Sequence, residues 1–174
     1  AYYREHGIPL RAWLFGNIHT LSKLGSALAP LSNWLLNAPG SGLLSERLLG
    51  ISRHRRLPTF ARQTFVNWFR KRPRTAPSER TVVLFPDTFA NYNEPEIGKA
   101  AVRVLETLGY EVIIPQRIVC CGRPMLSKGL LDQAKHQAQQ QLEWLAPYAE
   151  AGLPIIGLEP SCLLTFRDEY PDLI

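Results

Sequence analysis

The residues of this chain best suited to chemistry are three cysteines, Cys120, Cys121 and Cys162. Thiolates ligate soft metals and exchange disulfides. An odd number with two adjacent members makes a poor framework for structural disulfides, so a thiol-retaining, cytosolic setting is expected. Neighbouring residues of a strand point to opposite faces. Cys120 and Cys121 can therefore serve one site only where the backbone turns, and Gly122 and Pro124 supply the turn. Helix amino termini and Arg123 nearby are expected to lower the thiol pKa values. Free cysteine is commonly an inert, buried small hydrophobe, but an adjacent pair cannot both be core residues of one strand. One redox or metal site shared by all three is the favoured reading.

Such a site needs elements that gather distant positions. From residue 81 the pattern alternates strand and helix: Thr81–Phe85, a helix striped by Ile97, Ala100, Ala101, Val104, Leu105 and Leu108 and ended by Gly109, and then Tyr110–Ile114. A second helix follows, striped by Leu130, Leu131, Ala134, Ala138, Leu142, Leu145 and Ala149 and closed by Gly152, and then Pro154–Leu158. Continuous apolar strands joined by helices imply an α/β fold: a short parallel βαβαβ sheet in the order 2-1-3 or a close variant, with helices on both faces. Ligands bind outside the carboxyl ends of such strands, and all three cysteines fall in loops there. Asp87, Asn91, Tyr92 and Asn93, in the loop after the first strand, are candidate site-lining polar groups, although turn residues of these types need no function.

Ahead of this module, residues 1–79 read as a helical, basic extension with breaks at Pro30 and at 37–42. Trp13, Leu14, Ile18, Leu21, Leu24 and Leu28 fall at helical spacing, and a further helical pattern spans Pro58 to Arg70. Pro73 and Pro77 mark a linker. Residues 1–80 carry 13 basic and 3 acidic side chains, against 7 and 12 over residues 81–174. Apolar residues make up 45% of the chain, which excludes a disordered polymer. No apolar run reaches the ~18 residues of a membrane span, and no secretory leader is legible. The only methionine is Met125, so the sequence is expected to be a piece of a longer protein.

The loops Pro86-Asp87-Thr88-Phe89, Cys120-Cys121-Gly122-Arg123-Pro124 and Gly157-Leu158-Glu159-Pro160-Ser161-Cys162, with Asn91-Tyr92 and Pro95 between them, resemble the cysteine-rich CCG domain of iron-sulfur oxidoreductases. That group includes one subunit of heterodisulfide reductase and the iron-sulfur subunit of glycolate oxidase; the nearest resemblance is to the C-terminal part of fused FAD-linked oxidases of D-lactate and similar 2-hydroxy acids. It covers residues 80–174, with a looser match at 57–58 and 64–65. It implies that Cys120, Cys121 and Cys162 are ligands of an iron-sulfur cluster, of the 4Fe-4S kind, and that Asp87, Thr88, Asn91, Tyr92 and Arg123 line the cofactor. Two family cysteine positions hold Thr88 and Thr165 instead, so a four-thiolate site would need an outside ligand. It also implies that residues 80–174 are the first of a tandem pair, with the second repeat, the ferredoxin-like clusters and the FAD elsewhere in the parent protein.

A zinc-binding or metal-free docking module of the same parent is the alternative. Nucleic-acid binding through Arg53–Arg74 is the least favoured reading, because the segment matches no recognised motif and an acidic module follows. Intramolecular or membrane-surface contact explains that charge more simply, placing the parent in the cytoplasm or at the inner face of the membrane. Self-association is expected if the extension does not cover the module. No role is assigned to His6, His19, His54 or His136, and no catalytic residue is identified.

Overall fold

A computed structural model describes residues 2–73 and 78–174. Five helices open the chain: α1 (Tyr2–His6), α2 (Leu10–Gly16), α3 (Ile18–Ala27), α4 (Leu31–Leu36) and α5 (Ser41–Leu49). After α6 (Phe65–Lys71) come β1 (Thr81–Phe85), α7 (Thr88–Tyr92), α8 (Pro95–Thr107), β2 (Glu111–Ile113), α9 (Arg123–Ser127), α10 (Leu131–Glu150), β3 (Ile155–Gly157), α11 (Pro160–Leu164), a π-helical turn at Thr165–Glu169 and α12 (Tyr170–Leu173). Pro77, part of the expected linker, and Arg74, the last residue of the basic segment, lie outside the described residues.

The sheet is the expected parallel one, in the order β2-β1-β3. Val82 of β1 pairs with Val112 and Leu84 with Ile156. Alternate residues of a strand face opposite sides, and Val82, Val83, Leu84 and Phe85 are all buried. Both faces of the middle strand are therefore covered. Right-handed crossovers to strands on either side of β1 require α8 and α10 to lie on opposite faces.

One core cluster joins Phe65 and Val66 to Val82, Leu84, Val102 and Val112. Thr64 caps α6 by accepting the Asn67 N–H at 3.1 Å. The expected helix from Pro58 to Arg70 is thus shorter, starting only where that cap satisfies its first turn. Phe65 seats on Gly98 of α8, where a Cβ would lie 2.6 Å from its ring. This contact shifts the buried face of α8: Gly98 and Val102 are buried, Ala101 and Leu105 pack against the core, and Ile97, Val104 and Leu108 stay exposed. In α10 the buried line is Ala134, Ala138, Gln141 and Leu145, whereas Leu131 and Leu142 are exposed.

The extension docks through small residues rather than through its expected apolar stripe. Trp13, Leu24 and Leu28 are exposed, and Ala12, Gly16, Ser22, Gly25 and Ser26 are buried. A Cβ on Gly16 would stand 2.4 Å from Leu130, and one on Gly25 2.4 Å from the Phe60 ring. The rest of the chain supplies the large side chain and the helix supplies the hole, the interdigitation that close packing requires. Asn33 clamps the Phe60 backbone from both sides, donating to its carbonyl at 2.8 Å and accepting its N–H at 2.7 Å.

Phe65→Ala is expected to cost about 3–5 kcal/mol of stability and Gly98→Ala about 1–3 kcal/mol, each read from urea unfolding. A Gly98→Ala midpoint equal to the parent's would show that the Phe65 ring is not held against this helix.

Candidate functional site

Three loops leave the carboxyl ends of the strands and each is stopped by its own cap. Asp87 caps α7, accepting the Phe89 and Ala90 N–H groups at 2.9 and 3.0 Å. Glu159 caps α11, accepting the Ser161 N–H at 3.1 Å. Gly122 precedes α9 with φ of 85°, a left-handed conformation that a side chain would strain. That turn brings both adjacent cysteines inward. The Cys121 and Cys162 sulfurs lie 3.0 Å apart although 41 residues separate them, and Cys120 packs in the same buried cluster. All three thiols are free, buried and packed with Phe85. They line a cavity of about 170 Å³ together with Asp87, Thr88, Arg123 and Glu159.

The thiols are not activated in the expected way. Arg123 pairs with Glu169 rather than with a sulfur. The hydrogen bond to Cys121, followed by burial, raises the Cys120 pKa above the usual thiol range. For Cys121, the bond with Cys120 lowers it, but the bond with Cys162 and burial outweigh this and push it up to about 12. Both groups are protonated at neutral pH. Burial also raises the Asp87 carboxyl, although its two backbone donors oppose the shift.

Several expected site residues have other partners. Asn91 accepts the Val66 N–H at 3.0 Å and so anchors α6. Asn93 donates to the Thr59 carbonyl at 2.8 Å. Tyr92 meets His19 edge-on, with ring centroids 5.4 Å apart. Thr165 is fully buried and gives its hydroxyl to the Ser161 carbonyl at 2.7 Å. The π-helical turn starting at Thr165 then carries Tyr170 beneath the thiols, where its hydroxyl donates to the Cys121 carbonyl at 2.8 Å; such turns are frequent at functional sites.

The residue that sequence reasoning missed is His19. Its Nδ1 lies 3.0 Å from the Thr88 hydroxyl, so a side chain of the extension reaches the loop after β1. Burial, helped by Lys23, lowers its pKa to about 4. A usable signal existed: Ala12, Gly16, Ser22 and Ser26 recur at helical spacing, and position 19 lies on their face.

Whether these donors fit a cluster turns on their number and spacing. Among the described residues no group of three or more His, Cys, Asp or Glu side chains is arranged to hold a metal ion. The 3.0 Å between the Cys121 and Cys162 sulfurs is shorter than the ~3.8 Å that two thiolates span across a tetrahedral zinc at ~2.3 Å. The Thr88 and Thr165 hydroxyls are engaged with His19 and with the Ser161 carbonyl. The donors are of the right kind, but as placed they do not fit a complete cluster or a closed zinc site.

Thr88→Val should lower stability at pH 7 by about 1–3 kcal/mol, because it leaves a buried imidazole nitrogen unsatisfied; Thr88→Ser should retain most of it. Below pH 6.5 the unfolded His19 takes up a proton that the folded one refuses until about pH 4. The unfolded state therefore binds more protons across that window, and stability falls with falling pH, by up to ~3 kcal/mol. Asp87, whose pKa is raised, acts in the opposite sense, so the test is the difference between the parent and His19→Gln in urea unfolding at several pH values. Parallel curves for the two would remove the buried neutral histidine.

Residues 82–167 match the family described as CCG, cysteine-rich domain. One subunit of the anaerobic glycerol-3-phosphate dehydrogenase of Escherichia coli is 29% identical over 95% of this chain and 42% of its own length. D-2-hydroxyglutarate dehydrogenase of the same organism is 26% identical over 97% of this chain and 17% of its own length, and lactate utilization protein A of Bacillus velezensis is 36% identical over 53% and 37%. The chain thus spans less than half the length of these relatives. No solved structure matches it. The two-cysteine turn, Pro160-Ser161-Cys162 and all of the parallel sheet except Thr81 lie inside the matched stretch, so residues 82–167 carry a CCG cysteine-rich domain.

Proposed function

We propose that this chain is the CCG module of an iron-sulfur oxidoreductase and that Cys120, Cys121 and Cys162 supply part of a ligand set completed from outside it. The observation that carries this reading is the convergence of three buried thiols on one strand edge, with two sulfurs 3.0 Å apart. Inert core cysteines have no reason to collect there. Asp87, Thr88 and Arg123 line the same cavity.

More finely, the parent oxidises a 2-hydroxy acid such as D-lactate or glycolate at an FAD carried in another segment, and electrons pass through ferredoxin-like clusters toward this module. Support comes from the relatives, among them D-2-hydroxyglutarate dehydrogenase and lactate utilization protein A. In this reading residues 80–174 form the first of two repeats, and residues 1–79 form a basic helical extension. The parent works in the cytoplasm, in contact with the membrane surface at most; among the described residues no helix is long and apolar enough to cross a membrane. A second reading, a zinc-binding or metal-free docking module of the same parent, is favoured by one observation: the hydroxyls of Thr88 and Thr165 occupy the two missing cysteine positions and are already hydrogen-bonded.

Anaerobic reconstitution of the chain with iron and sulfide separates the two. Partial, labile incorporation that Cys162→Ser abolishes is expected from three ligands of an incomplete set. A stable, stoichiometric cluster that survives Cys162→Ser would show the ligand set to be wrong. Stoichiometric zinc with no iron uptake would favour the docking module.

A further inference from the structure

The basic run Arg53-His54-Arg55-Arg56 is not used by the thiol site. Arg53 pairs with Glu46, 3.9 Å away. Its neighbours Arg55 and Arg56 instead border a cavity of about 650 Å³, with Arg11 of α2 and Lys128 at the end of α9 on its other sides. Four cations from three separate stretches of chain thus meet around one opening, where the extension joins the α/β module. None of the residues lining it is acidic, and none of the four cations makes a salt bridge with a described residue.

Two of the four are held in place by the same ring. The Arg11 guanidinium lies 5.8 Å from the Phe15 centroid and the Lys128 ammonium 5.5 Å from it, distances at which the π face attracts a cation. Gly50 keeps the rim open, since a Cβ there would come 3.1 Å from Arg11. Like charges gathered around one cavity repel each other unless an anion is shared between them. The volume suits a small ligand, and guanidinium groups match phosphate oxygens in geometry.

The geometry points to a phosphate-binding site formed by Arg11, Arg55, Arg56 and Lys128, with a phosphate monoester group as its ligand. That group has two sources, a free phosphate compound or a lipid headgroup. Leu10, next to Arg11 on α2, is exposed, an apolar group that a lipid surface would cover and a soluble ester would not.

The test uses the whole chain. Pyrophosphate and inorganic phosphate are titrated by calorimetry, and phosphatidylcholine vesicles with and without phosphatidic acid are tested by co-sedimentation. Binding should weaken as salt rises. Arg55→Gln with Arg56→Gln, and separately Lys128→Gln, should each weaken it by about tenfold. Arg53→Gln removes the same charge from the same run outside this cavity and should change it by less than about twofold. Soluble phosphate alone identifies a free ester as the source; acidic vesicles alone identify the headgroup. The proposal is overturned if neither probe binds, if Arg53→Gln weakens binding as much as Lys128→Gln, or if only an oligonucleotide binds.

Discussion

β1 has a hydrogen-bonded strand on each edge and buried side chains on each face. A strand enclosed in this way reaches the surface only at its ends. Because β2 and β3 run parallel to it, the loops that follow the three strands emerge at the same edge. Strands are ~4.8 Å apart, so the three loops have little room to avoid one another. The meeting of Cys120 and Cys121 with Cys162 follows from that constraint before any thiol chemistry is considered.

The caps decide what the meeting can do. Asp87 and Glu159 commit their carboxylates to the first turns of α7 and α11, and Gly122 uses a left-handed conformation to fold the adjacent cysteines inward. Arg123, which lines the same cavity as the thiols, is taken by Glu169. Without a cation at the sulfurs, burial and mutual hydrogen bonding prevail, and Cys120 and Cys121 keep their protons. A site that must give up protons to bind metal is thereby held in its protonated form.

The extension shapes the same site from the other side. Its small residues admit Leu130 from the module and Phe60 from the extension's own later segment, and this close approach carries His19 to the Thr88 hydroxyl. Thr88 and the imidazole beside it are parts of one arrangement, joined by that hydrogen bond. The same docking leaves Trp13, Leu24 and Leu28 on the outside, because the helix face with holes is the one that can come close.

Periodicity and punctuation in the sequence determined the three parallel strands, their order, the turn at Gly122 and the gathering of the cysteines, since each depends on local propensity or on the handedness of crossovers. The family resemblance was legible for the same reason: its residues sit in the loops that the sheet brings together. Tertiary structure alone decided which helix faces are buried. Helix α8 is apolar on more than one side, and the seat that Phe65 finds on Gly98 selects the face; in α3, holes rather than apolar bulk make the contact. It also decided the partners of the charged and polar groups. Spacing could put Arg123 beside Cys121 and Asn91 beside Asp87, but Glu169 and the Val66 N–H, 46 and 25 residues away, took them. A hydrogen bond is won by whichever donor or acceptor the packing brings within about 3 Å, and sequence distance does not enter into it.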